Sequence, residues 1–420
     1  MRLGHGPGHV PGPVRAAAAA LAGTLVGLSV TPAMAAVTAT SAEAPVGASC
    51  LDVDMATTDQ RTVKGDNTAN LSLHVAEAQA LARKAGRRPG QDVKVVVVDS
   101  GAGGFNNPGP TDLPSGHGIA VAGIIAGADQ SEPKIDVGIA PGAGIVDKRF
   151  YDSPERSQEG EKVPMAADLA AALADVANRR APGGDLGGRV VVVVPTQVPH
   201  SPELEAQVDR LVDTGVLLVA ASGDRPTGDS GFPDGYQDEP KKGEDVADLV
   251  WPAADPGVVA VGVSTPGSSG TVLRSSAIDL SAPGADAVSR ARNGGWCVVA
   301  PASTAWAAAQ VAGVAALVWS MHPDEDAAQL RTRLEQTASG NGGPSSPITG
   351  YGVVQPVEAI QRDVAEMGAE KKVQNQPARP PRAEADVLAG ARHDAVWWGL
   401  GGGAALVVLL IVRPLLSRRR

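Results

Sequence analysis

Three short segments of this sequence carry residue types that together can perform acyl transfer. Asp99 ends the apolar run "VKVVVVD", His117 stands in "SGHGIAVAGIIAG", and residues 301–313 read "PASTAWAAAQVAG". An aspartate can orient an imidazole, and the imidazole can take a proton from a hydroxyl group at the start of a later helix. The first turn of that helix also offers backbone N–H groups to a developing oxyanion. The three segments therefore predict acid, base and nucleophile positions, in that order.

The segments around these residues predict an α/β domain. Strands are expected at residues 93–99, 144–151, 189–194, 215–224 and 257–264, and helices at residues 116–127, 164–180, 202–214 and 307–318. Continuous valine runs that alternate with helical segments are typical of a parallel sheet covered by helices on both faces. Such sheets carry their sites at the carboxyl ends of the strands. Asp99 and Asp224 both fall at such ends.

Both ends of the chain show patterns typical of an exported, membrane-anchored protein. An apolar run follows Arg15 and precedes the small-x-small site at residues 33–35, which predicts a signal peptide. Near the C-terminus, about 18 apolar residues, near the minimum for a bilayer span, precede a basic tail that the positive-inside rule places in the cytoplasm. The predicted organisation is a signal peptide (1–35), an N-terminal arm (36–90), the main domain (91–362), a proline-rich polar linker (363–394), a transmembrane helix (395–412) and a basic cytoplasmic tail (413–420).

With the three segments in this order, the chain resembles the subtilisin-like serine protease family over roughly residues 60–360. The family pattern D-[ST]-G corresponds to "DSG" at Asp99, and the pattern H-G-T-x-V-A-G corresponds to "HGIAVAG" at His117. The signal peptide, linker and C-terminal span, with "GYGVVQPVEAI" near the end of the domain, resemble more narrowly the mycosins. Mycosins are membrane-anchored subtilases associated with type VII secretion in actinobacteria. The resemblance implies a subtilisin-like fold and a secretion complex in the cell membrane as a partner.

The third segment departs from the family pattern at the residue that matters most. The motif G-T-S-x-A-x-P-x-V-[AS]-G, aligned on "VAG" at residues 311–313, puts Ser303 at the glycine and Ala305 at the nucleophilic serine. Ser303 is an alternative nucleophile, but it lies roughly 6–7 Å away in an extended segment, and proton transfer needs about 3 Å. The family's oxyanion asparagine, in A-A-G-N, is replaced by Asp224 in "AASGD". A carboxylate there would repel a developing oxyanion. Trp306 is interpreted as a core residue, with partial filling of the cleft as the alternative.

Composition and cysteine usage limit the partners. Hydrophobic residues make up 43% of the 420 residues, and the formal net charge is −10 without a basic stripe in the middle of the chain, which argues against nucleic acid. No histidine spacing predicts a metal site, and no cofactor is expected. The chain has two cysteines, Cys50 and Cys297. In an exported protein a lone pair is more often a disulfide than two free thiols, so we expect them to be bonded.

The retained scaffold and anchor beside a lost nucleophile favour a pseudoprotease. We expect a membrane-anchored, extracytoplasmic protein that binds a protein or peptide, or braces a type VII secretion complex, without cleaving. One alternative is a weakly active serine endopeptidase that uses Ser303 or a distorted site. Another is a purely structural subunit whose cleft is closed.

Overall fold

The computed structural model describes residues 42–53, 55, 61–154, 159–226, 236, 240–340, 345–364 and 389–417. The predicted signal peptide and most of the predicted linker lie outside the described residues. The predicted domain boundaries therefore remain predictions.

A six-stranded parallel sheet forms the centre of the main domain. Its strands are β1 (Val93–Asp99), β2 (Gly144–Arg149), β3 (Arg189–Val194), β4 (Leu217–Ala221), β5 (Val259–Val263) and β6 (Leu280–Ala282), in the spatial order β2-β1-β3-β4-β5-β6. β3, β4 and β5 consist almost entirely of buried residues. That burial explains why they read as continuous apolar runs instead of alternating ones. The predicted fold class is confirmed, and β6 is a strand that the sequence did not predict.

Apart from the C-terminal helix, eight α-helices lie in the described residues. They are α1 (Thr68–Ser72), α2 (Val75–Lys84), α3 (His117–Ala126), α4 (Ala166–Arg180), α5 (Pro202–Val212), α6 (Thr304–Met321), α7 (Ala327–Thr337) and α8 (Pro356–Gln361). α2, α3 and α6 share one core with Val95 and Val97 of β1, whereas α4 and α5 share the other with Val96 and Val98. Because side chains alternate along a strand, β1 contributes to both cores. The helices therefore cover both faces of the sheet.

The helix that carries the nucleophile position is the central helix of one core. α6 is rich in alanine, so its backbone can approach the sheet closely, and 94% of it is buried. It is also the one described helix that is long and apolar enough to span a membrane. Its burial identifies it as a core helix. The predicted span falls in α9 (Ala389–Ser417), whose apolar stretch Trp397–Arg413 is shorter.

The N-terminal arm is attached to the domain by a disulfide. Cys50 and Cys297 are bonded; their Cα atoms lie 4.9 Å apart, and the two residues are 247 positions apart in sequence. Cys297 lies in β8 (Trp296–Val298), which pairs with β7 (Val288–Arg290). The backbone N–H of Cys50 also donates to the carbonyl of Val298 at 3.0 Å. The predicted disulfide is confirmed.

Candidate active site

Asp99 and His117 face each other at the carboxyl edge of the sheet. Asp99 is the last residue of β1 and is fully buried, and His117 is the first residue of α3. The imidazole Nδ1 lies 3.0 Å from Oδ1 and 2.9 Å from Oδ2 of Asp99. In this arrangement a carboxylate fixes the tautomer and the orientation of an imidazole that acts as a base.

Three further donors hold the Asp99 carboxylate. Oδ1 accepts hydrogen bonds from the Ser100 backbone N–H (2.6 Å), the Ser100 hydroxyl (2.9 Å) and the Tyr151 hydroxyl (3.0 Å). The Tyr151 oxygen also lies 3.3 Å from Nδ1 of His117. Burial raises the pKa of Tyr151 well above its usual value, and the negative charge of Asp99 acts in the same direction. Tyr151 therefore stays a neutral donor to the Asp99 carboxylate.

Two glycines allow α3 to approach the end of β1. Gly101 adopts a φ of 112°, which L side chains rarely tolerate. A Cβ atom at Gly118 would lie 2.5 Å from the carbonyl oxygen of Gly101. The "DSG" and "HG" sequences therefore have a steric reason, since both glycines are needed to bring His117 within reach of Asp99.

A methyl group occupies the nucleophile position. Ala305 is the second residue of α6 and is buried. Ser303 is the N-cap of α6, and its Oγ accepts a hydrogen bond from the Ala305 N–H at 3.0 Å. This N–H is the backbone donor that an oxyanion would need. In this structure it is already paired within the protein.

Asp224 is bound to the N-terminus of α6. Its Oδ1 accepts from the Thr304 backbone N–H (2.8 Å) and the Thr304 hydroxyl (2.9 Å), and its Oδ2 accepts from the Ser303 hydroxyl (2.5 Å). Burial raises the pKa of the Asp224 carboxyl, whereas the hydrogen bonds from Ser303 and Thr304 oppose that rise. A helix N-terminus favours an anion. The Asp224 carboxylate therefore occupies the N-terminus of α6. It takes the place at which the oxyanion of a substrate would otherwise be stabilised.

The geometry does not prepare Ser303 as a nucleophile. Its hydroxyl donates to Asp224 and accepts from Ala305. A serine nucleophile must give its proton to an adjacent base, and within the described part of the chain no hydrogen bond joins Ser303 to His117. The Ser303 hydroxyl is therefore paired with Asp224 and Ala305 instead of with the base that would have to activate it.

Trp306 packs against the imidazole from the core side. The two ring centroids are 4.6 Å apart, and the ring planes are inclined by 34°. Trp306 is 1% exposed and belongs to the core that contains α3 and α6. The orientation of the His117 ring is therefore fixed by two contacts. Trp306 packs against its face, and Asp99 pairs with its Nδ1.

Sequence reasoning missed two residues of this region. Tyr151 follows β2 by two positions, and Gln197, which contacts Asp224, follows β3 by three. Neither residue lies in a motif, and only their position after a strand end marks them. Among the described residues, no group of three or more histidine, cysteine, aspartate or glutamate side chains is arranged to hold a metal ion.

An Asp–His pair at the carboxyl edge of a parallel sheet, beside the N-terminus of a buried helix, defines the subtilisin class of peptidase fold. The chain belongs to the subtilase family, because the family's sequence profile (peptidase S8) matches residues 80–353. The subtilisin of Bacillus pumilus is 30% identical over 288 residues, which cover 65% of this chain and 92% of that protein.

Two solved structures relate the chain to a narrower group. The crystal structure of MycP1 with its N-terminal propeptide removed is 25% identical with a TM-score of 0.53, covering 70% of this chain and 96% of that chain. A chain in the structure of an intact ESX-5 inner membrane complex is 25% identical with a TM-score of 0.56, covering 89% of this chain and 94% of that chain. These neighbours identify a mycosin-type subtilisin-like protein.

Proposed function

We propose that this protein is a membrane-anchored, extracytoplasmic pseudoprotease that acts as a binding or structural component of a type VII secretion system. The observation that carries the proposal is the N-terminus of α6. The nucleophile position is Ala305, and its N–H is bonded to Ser303. The N–H of the preceding residue, Thr304, donates to the carboxylate of Asp224.

The helix itself is retained, but the side chains that would carry out catalysis there are replaced. Subtilisin itself, a family member, loses about 10⁶ in turnover without its serine and about 10²–10³ without its oxyanion side chain. Both groups are replaced here, at Ala305 and Asp224. The Asp99–His117 pair alone has no hydroxyl group to activate.

The location is supported by the C-terminal helix and by one neighbour. In the apolar stretch of α9, most of the large side chains are more than half exposed, including Trp398 (82%) and Leu409 (69%). An exposed apolar stretch of this length is unfavourable in water and suits a lipid environment. The similarity to a chain of the intact ESX-5 inner membrane complex supports assembly with a comparable complex.

Labelling with a fluorophosphonate tests the loss of activity. The full chain in native membranes should form no covalent adduct, while an active subtilisin in the same reaction is labelled to completion. A Ser303→Ala variant serves as the matched control. A stoichiometric adduct on the wild-type chain that disappears in this variant would establish the alternative, a weakly active endopeptidase that uses Ser303.

Co-purification tests the partner. The intact chain, tagged and extracted from the membranes of its own host, should retain components of a type VII secretion complex. A chain that ends before residue 389 is the comparison, because it lacks the helix proposed to anchor it. Recovery of the intact chain alone, at a detergent concentration that preserves other membrane complexes, would contradict the assembly role.

A further inference from the structure

A cavity of about 190 Å³ lies between α1, α2 and the segment 134–136. Its apolar walls are formed by Leu71, Val75 and Ile135, of which Leu71 is half exposed and the other two are buried. An engineered cavity of about 150 Å³ holds benzene, so this one is large enough for an aliphatic residue. None of the residues that line it belongs to the candidate active site.

Two asparagines join α1 to the opposite wall of the cavity. Asn67 donates through Nδ2 to the carbonyl oxygen of Asp136 at 3.0 Å, and Asn70 donates through Nδ2 to the carbonyl oxygen of Val137 at 2.9 Å. Asn70 is 7% exposed and lines the cavity. Within the described part of the chain, both side-chain hydrogen bonds of Asn70 are donated by its Nδ2. Its Oδ1 is therefore an acceptor that remains available to a donor in the cavity.

The opening of the cavity carries more negative than positive charge. Asp66 and Asp136 both line it, together with Lys134. The Nζ of Lys134 is 4.0 Å from Oδ1 of Asp136, and the two side chains are 80% and 52% exposed. Such an exposed pair is weak, so Asp136 can accept from another cation. Two carboxylates and an amide oxygen suit a primary ammonium group, which carries one positive charge and three N–H donors.

The N-terminal arm reaches this opening. The N–H of Glu43 donates to Oδ2 of Asp66 at 3.0 Å, and the N–H of Asp66 donates to the carbonyl oxygen of Glu43 at 2.9 Å. Cleavage at the predicted signal-peptide site would make residue 36 the first of the mature chain. The segment 36–43 spans at most about 25 Å when fully extended, and its residues 36–41 lie outside the described residues.

We propose that this cavity binds the α-ammonium group of the mature N-terminus. The carboxylates of Asp66 and Asp136 and the Oδ1 of Asn70 would accept its three N–H donors, and the side chain of Val37 would lie against the apolar walls. The proposal rests on the proposed export of the chain and goes beyond it. It gives the arm a second attachment, besides the disulfide at Cys50, that forms only after the signal peptide has been removed.

The reactivity of the α-amine in the full chain, in the membranes of its own host, tests the proposal. Reductive methylation at pH 7 is followed by mass spectrometry of the N-terminal peptide, with the exposed Lys134 as the internal reference. The reagent attacks the neutral amine, and nearby carboxylates favour the ammonium form. The α-amine should therefore react about tenfold more slowly in the wild type than in Asp136→Asn, because a hydrogen bond to a charged group contributes about that factor.

A matched variant and a second reaction complete the test. Asp248 is also exposed, but its neighbours Val246 and Val250 belong to the other core, so Asp248→Asn should react as the wild type does. All variants are first compared with the wild type in thermal unfolding. A carbodiimide joins an amine to a carboxylate that it contacts, and in the wild type it should link the N-terminal residue to Asp66 or Asp136.

Three results would each overturn the proposal. They are equal reaction rates of the wild type and Asp136→Asn, a carbodiimide link to Asp136 from Lys134 alone, and a mature N-terminus that retains the signal peptide. None of these results bears on the replaced nucleophile, so the proposed loss of catalysis would stand. Conversely, a fluorophosphonate adduct on Ser303 would refute that loss and leave the reactivity of the α-amine unchanged.

Discussion

Restoring the missing hydroxyl with Ala305→Ser should not restore useful proteolysis. The new serine would stand at the start of α6, but its N–H would still donate to the Ser303 oxygen, now 3.0 Å away. The carboxylate of Asp224 would still accept the N–H of the preceding residue, Thr304, at 2.8 Å. A tetrahedral intermediate would therefore develop its negative charge beside an existing one, with the amides of both Thr304 and residue 305 already paired.

The size of this penalty follows from the geometry. An oxyanion near the Ala305 N–H would lie roughly 5 Å from the Asp224 carboxylate, since the two anions would be bound to adjacent amides of one helix turn, each at about 3 Å. At an effective dielectric constant of about 20, two unit charges at that distance repel by about 3 kcal/mol. That energy corresponds to a rate factor of about 10². Replacing Asp224 by asparagine removes the charge and supplies a side-chain donor.

The assay compares Ala305→Ser with the double variant Ala305→Ser, Asp224→Asn across pH. The substrate is a fluorogenic peptide that carries alanine before the scissile bond. The double variant should exceed the single one in kcat/KM by about 10² at neutral pH. The ratio should shrink as the pH falls, because burial raises the pKa of Asp224 and a neutral carboxyl no longer repels the oxyanion. Equal activity at neutral pH would refute the placement of Asp224 at the oxyanion position.

Three further predictions follow from the described contacts. Replacing Cys50 and Cys297 by serine should lower the free energy of unfolding by about 5 kcal/mol in the chain-entropy account, because the disulfide closes a loop of nearly the whole domain; chemical denaturation measures it, and an unchanged midpoint would contradict it. The wild type should lose stability as the pH rises above about 10, the pKa of an unfolded tyrosine. The reason is that the pKa of Tyr151 is raised in the folded state, so that only the unfolded state releases this proton. Tyr151→Phe should lose less stability in the same titration, and identical curves for the two proteins would contradict the prediction. Protease added to intact cells should cut the chain between residues 50 and 360 without reaching Arg418–Arg420; protection of that region until lysis would reverse the proposed topology.

Much of the fold was predictable because burial dictates it locally. The valine runs of β1 and β3 predict strands buried on both faces, and the structure contains them at residues 93–99 and 189–194. The disulfide was predictable from the expected export of the chain, since a lone pair of cysteines in an exported protein is more often bonded than free. β6 was not predictable, because three residues in "LSAPG" give too short a pattern to distinguish a strand from a turn.

The motif positions at the candidate site and the pairing of Asp99 with His117 were predictable, but the contacts of Tyr151 and Gln197 were not. Motif order located Asp99, His117 and Ala305, whereas the contacts of Tyr151 and Gln197 join segments that are 52 and 27 positions apart. Such contacts depend on which strands become neighbours and on where each strand ends. The sequence also presented Ser303 and Asp224 as two separate departures. In the structure they are one, because the hydroxyl of Ser303 donates to the carboxylate of Asp224.

The presence of Asp99 and His117 beside Ala305, which stands where the family motif has serine, has a structural explanation. Asp99 is fully buried, and a buried carboxylate that loses a partner costs the protein more than an exposed one. His117 supplies one of those partners, and its ring also packs on Trp306 in the core. At position 305, by contrast, an alanine in place of a serine leaves the backbone N–H paired, since the Ser303 oxygen accepts it. Asp99 and His117 therefore stabilise the fold through burial, hydrogen bonding and packing, whereas a hydroxyl group at position 305 is not needed for that purpose.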